Sequence, residues 1–152
     1  MSSPLLDFMT REQAAIGAFI ELLEREASAM IDGNFAQLPE LAQCKSALAD
    51  QIKLLEQQRE REQLALGYAT GRGGADAACA AGDEALRQGW QALLERAAQA
   101  HDLNHRNGVM VHAHLDFTRQ TLRFLQAGGQ PLYGPDGTHA TAAGSGTSLA
   151  QG

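Results

Sequence analysis

The 152-residue chain carries 18 acidic and 12 basic residues, a formal net charge of −6, and is 44% hydrophobic but only 5% aromatic. Few aromatics, with many Ala, Leu, Gln, Glu and Arg, argue against a β-rich fold and predict an all-α protein of one domain. Residues 1–66 hold eleven acids and six bases and residues 67–127 six of each, so no Lys/Arg cluster supplies the footprint of a nucleic-acid or anionic-membrane surface.

The opening run "MSSPLLDFMTREQ" lacks the basic and apolar regions of a secretory signal, and no stretch approaches ~18 consecutive apolar residues. Cys44 and Cys79 form no CxxC. Two lone cysteines in such a chain read as free thiols in a reducing cytoplasm.

Pro4 suits a first helical turn, with Ser2 and Ser3 as candidate caps. Leu5, Phe8, Ile16, Phe19, Leu23, Ala27 and Met30 then recur mostly at three- and four-residue steps. The pattern predicts an amphipathic helix of roughly 27 residues, ~40 Å long. "DGN" at 32–34 ends it, because Gly33 or Asn34 can take the left-handed conformation. A second helix restarts at "LPE", with Leu38, Leu41, Cys44, Leu48, Ile52 and Leu55 on one stripe. From Gln57 the chain becomes "QQREREQ", which reads as a solvated helical face carrying i,i+4 pairs. The short connector makes these two helices an antiparallel hairpin.

"GRGGADAACAAGD" at 71–83 reads as a mobile Gly/Ala linker. Asp83 then caps a third helix whose first turn carries Glu84. Its seam runs Leu86, Trp90, Leu93, Ala97, Ala100, Asn104, Asn107, Val111, Leu115, Thr118, Leu122 and Leu125. These are heptad steps with one 4–4 irregularity near Val111, as a stutter gives. The expected architecture is therefore an antiparallel helical hairpin plus a long third helix, a three-helix bundle or coiled coil with a flexible C-terminal tail. The expected domain is 1–137, with helices at about 5–31, 38–68 and 83–127, a linker over 69–82 and a disordered tail over 138–152.

The lengths do not match. A third helix of roughly 45 residues outruns a second helix of about 30 by ~15 residues, some 22 Å. Either residues 113–127 lack a partner within the chain, or the helix breaks at Asn104–Gly108 and folds back. The first reading leaves an apolar helix surface of the kind that marks an interaction site.

Histidines 101, 105, 112 and 114 cluster on this helix. His101 and His105 share a face, and imidazoles four apart can share a metal ion, but "HDLNH" lacks the glutamate base of a zincin. Solvated or boundary histidines are the plainer account, and no metal or other cofactor is expected. A phosphotransfer histidine is also disfavoured, since Asp116 and Phe117 follow "HAHL" where a Lys and a small residue belong. No nucleophile elbow or P-loop is present, so no enzyme is expected. Asn104 and Asn107 on the seam read as structural residues that fix register at a cost in stability.

The run "LNHRNGVMVHAHLDFTRQTLRFLQ", followed by "LYGPDG", resembles the FlgN family of flagellar export chaperones. The resemblance is carried by Asn104, Asn107 and Gly108 as "NxxNG", the apolar run after them, and Tyr133-Gly134 with Asp136-Gly137. It implies a cytoplasmic chaperone for hook-associated proteins, which join flagellar hook to filament. Such chaperones hold the substrate's C-terminal segment, prevent premature assembly, and bring it to the membrane export gate of the type III system. Contact with the membrane export apparatus is peripheral. On this reading Val111, Leu115, Thr118, Leu122 and Leu125 bind the partner, with Phe117 and Phe124 beside them. Leu132 and Tyr133 form a docking element on the tail, or fold back onto the bundle end. The alternative is a helical coiled-coil adaptor or a phosphotransfer-like signalling domain.

Overall fold

The computed structural model describes residues 3–128. Helix α1 spans Pro4–Ile31, a short 3-10 turn covers Phe35–Gln37, and α2 spans Leu38–Ala65. Helix α3 covers Gly71–Ala80 and α4 runs unbroken over Glu84–Gly128. There is no strand among the described residues. The chain divides into two units, Met1–Asn107 and Gly108–Gly152, and the boundary falls inside α4.

Local chemistry sets the helix ends. Ser3 Oγ accepts from Leu6 N at 3.1 Å and Pro4 follows in the first turn, which satisfies one donor that the helix leaves open. α1 closes where Gly33 turns left-handed at φ 74° and Asn34 N donates to Ala29 O at 2.8 Å. α2 closes the same way: Gly67 takes φ 91° and Tyr68 N donates to Gln63 O at 2.9 Å. That turn stops α2 at Ala65, three residues before the expected end. Asp83 Oδ1 accepts from Leu86 N at 2.9 Å, the cap expected for the helix that begins there. Continuity of α4 through Asn104–Gly108 removes the fold-back alternative.

The core of the first unit draws Leu5, Met9, Ile16 and Ile20 from α1 together with Leu86, Trp90, Leu93 and Ala100 from α4. Ala75, Ala78 and Cys79 of α3 join the same cluster. Residues 71–80, expected as linker, are thus a fourth helix with one face in the core. Three glycines and a run of alanines hide that face in the sequence, because it is made of small residues rather than Leu or Phe.

The interior is also polar. Glu12 on α1 pairs with Arg59 on α2, Oε1 to Nε at 2.7 Å, and both are buried. The Arg59 guanidinium lies 5.1 Å from the centre of the Trp90 ring and also donates to Gln63. Gln63 is fully buried and its amide donates to the carbonyls of Ala69 and Gly71, at 2.8 and 3.1 Å. The carboxylate of Glu60 accepts from Gly71 N at 2.8 Å. The indole N–H of Trp90 donates to Asp76 Oδ1 at 2.6 Å. These bonds hold the 66–71 turn and α3 against α2 and α4. The run expected to be a solvated face therefore contains two buried residues, Arg59 and Gln63.

Candidate partner-binding site

The site residues expected from the sequence lie on α4 and on the tail. Asn107 is the last residue of the first unit and is 2% exposed. Its side-chain amide donates to Leu23 O at 2.8 Å and to Glu26 Oε1 at 2.9 Å, both on α1. Glu26 also accepts from Lys45 of α2, at 3.0 Å. One amide, one carboxylate and one ammonium thus tie three helices at the same level. A buried amide donating to a carboxylate and a carbonyl fixes the register of α4 on α1, since a shift by one residue strands all three groups. Asn104 is exposed and borders a shallow apolar groove with Ile16, Phe19 and Ile52.

In the second unit, none of residues 108–127 is buried. Val111 is half-buried and Thr118 exposed. Leu115 is 42% exposed, Leu122 54% and Leu125 52%. Successive residues of an α-helix turn by about 100°. Val111, Leu115, Thr118, Leu122 and Leu125 therefore share one stripe roughly 80° wide. Phe117 and Phe124, at 67% and 75% exposure, do not lie beside that stripe. Two residues from Leu115 and from Leu122, each turns about 200° away, and the pair forms a second stripe across the helix. The segment is apolar on two sides. Leu132 and Tyr133 lie outside the described residues.

The described histidines lie along α4. His101 and His105 are exposed, and His101 Nδ1 is 3.6 Å from Asp102 Oδ1. Among the described residues no group of three or more His, Cys, Asp or Glu is arranged to hold a metal ion. Asp116 pairs with Arg119 one turn on, at 3.7 Å. Both cysteines are free, Cys44 exposed and Cys79 buried. Burial is the main reason that the Cys79 thiol is pushed up to about 11, with Asp76 adding to the effect and Arg59 opposing it. No helix among the described residues is long and apolar enough to cross a membrane.

The described chain is thus a bundle with buried polar ties, and α4 carries two exposed apolar stripes beyond Asn107. Sequence comparison gives it a family, for the model of the FlgN protein family matches residues 1–141. The chain belongs to the FlgN family. This is a family of flagellar chaperones, not of enzymes. The flagella synthesis protein FlgN of Salmonella typhimurium strain LT2 is 30% identical over 137 residues, which cover 89% of this chain and 87% of that protein. The FlgN protein of Salmonella typhi matches to the same extent. No solved structure matches the chain significantly. The FlgN match spans both units: the α1–α4 bundle with its Asn107 tie, and the exposed part of α4.

Proposed function

We propose that this FlgN-family protein is a cytoplasmic flagellar export chaperone that binds hook-associated proteins through their C-terminal segments. It keeps them from assembling early and delivers them to the flagellar type III export gate, touching the membrane only through the export apparatus. The observation that carries the reading is the stretch 109–127, where Leu115, Leu122 and Leu125 on one side and Phe117 and Phe124 on the other stand exposed. Exposed apolar helix surface of this kind marks an interaction site. The leucine stripe has coiled-coil spacing, so a disordered apolar segment can fold against it as a partner helix. Ordering that segment offsets part of the contact energy, which keeps affinity low enough for release. The aromatic stripe extends the same contact around the helix.

The test is replacement of Leu115, Leu122 and Leu125 together by Ala. Because all three are exposed, the variant keeps its helical circular dichroism within about 10%, alanine being the better helix former. It loses co-purification with hook-associated proteins from flagellated cells. Undiminished co-purification would reject the leucine stripe as the cargo site.

A further inference from the structure

We infer that α4 is built in two stability classes, with Gly108 as the point where they separate: residues 84–107 stay helical with the bundle, while 109–128 unwind and rewind on their own.

Three observations meet at this point. Asn107 is the last side chain of the first unit, and it is buried and bonded to Leu23 and Glu26 of α1. Beyond it, none of residues 108–127 is buried. Gly108 follows the tie at once, and a Cβ there would meet nothing within 4 Å. Three other helical glycines differ in this respect. A Cβ on Gly17 would meet the Arg96 guanidinium, one on Gly74 the Ala69 carbonyl, and one on Gly89 the Leu6 side chain at 2.6 Å. Those positions have close neighbours. Gly108 has none and keeps ordinary helical geometry, so no packing demand explains it.

Its effect is on helix propagation. A helix in a protein owes most of its stability to the face it buries rather than to its propensity. None of residues 109–127 is fully buried, and they include Val109, Val111, Thr118 and Thr121, β-branched residues of modest helix propensity. The bundle supplies their nucleus, because α4 enters already formed at Asn107. Gly108 then weakens the first step of propagation by about fivefold in equilibrium constant relative to Ala. Unwinding therefore starts from the C-terminal end of α4 and stops at the Asn107 tie. The open stripes are helical only part of the time until something covers them, and any binding there is coupled to helix formation. None of this depends on which partner is bound, so its failure and the failure of the chaperone reading are separable.

Native-state amide hydrogen exchange on the full chain tests it. After correction for intrinsic rates, amides of 110–127 are expected to exchange about tenfold or more faster than those of 90–104. Gly108→Ala slows the first set about fivefold and leaves the second unchanged. Gly73→Ala, at an equally unhindered glycine inside α3, leaves amides 110–127 unchanged. A single protection level across 90–127, or no slowing of 110–127 in Gly108→Ala, overturns the inference. So does equal slowing of 110–127 by Gly73→Ala.

Discussion

Arg59 carries a full charge at 4% exposure, paired to Glu12 at 6% side-chain exposure and covered by Trp90. Removing one member of such a pair leaves a buried charge alone, at a cost of about 3–5 kcal/mol, whereas replacing both by apolar groups is often nearly neutral. Arg59→Met is expected to lose stability in that range by urea denaturation, and Glu12→Leu with Arg59→Met to regain most of it. Glu12 itself points the same way. Desolvation raises its carboxyl above the usual 4.5 despite the opposing attraction of Arg59. The folded chain then holds that proton more tightly than the unfolded one, so this group's contribution falls as pH rises above 4.5. Cys79 follows the same sign at higher pH. The unfolded thiol loses its proton near 9.0 and the folded one near 11, so stability present below pH 9 is lost between 9 and 11. Cys79→Ala should remove that segment of the urea-midpoint profile. At pH 8 a thiol reagent should label Cys44 in the native state and Cys79 only on unfolding, since the thiolate is the reactive form.

Among the elements, α4 depends on Asn107 for its position on α1. Asn107→Ala leaves Glu26 and the Leu23 carbonyl short of a donor and should cost about 2 kcal/mol. Asn107→Asp should cost more, because it removes the donor and sets a second carboxylate against Glu26. Equal losses in the two variants by denaturation would mean that the amide only fills space. The sequence made α1, α2 and α4 legible through their three- and four-residue apolar steps, and their caps through Ser3, Gly33 and Asp83. It hid α3, whose buried face is Ala75, Ala78 and Cys79 and whose start is held by Gln63 and Glu60 from the preceding helix. No local pattern announces a helix whose stability comes from residues elsewhere in the chain. Arg59 and Gln63 were hidden for the same reason, since a charged run looks solvated until another element is laid over it. On the candidate site, spacing placed the leucine stripe, but the helical turn moves Phe117 and Phe124 to another side. Asn107 was visible as a seam residue while its partners, 81 and 84 positions away, were not.

For the molecule as a whole, the first unit encloses the described core and the buried ion pair, while none of residues 108–127 of the second is buried. Under the proposed function the first unit is the scaffold and the second holds the cargo. The same division extends to the tail under the proposed function. Tyr133→Ala should leave co-purification with cargo intact and lower export of hook-associated proteins into the medium. Loss of cargo binding and export together would instead assign Tyr133 to the cargo-binding domain itself.

Trp90 is the chain's single tryptophan, and it is 7% exposed between the Arg59 guanidinium and the Asp76 carboxylate. Its emission therefore reports on the interior of the first unit. Circular dichroism at 222 nm, by contrast, counts every helical residue. A thermal scan that follows both signals on one sample needs no label to separate the two units: the ellipticity that fades before the tryptophan red-shifts belongs to the unwinding end of α4.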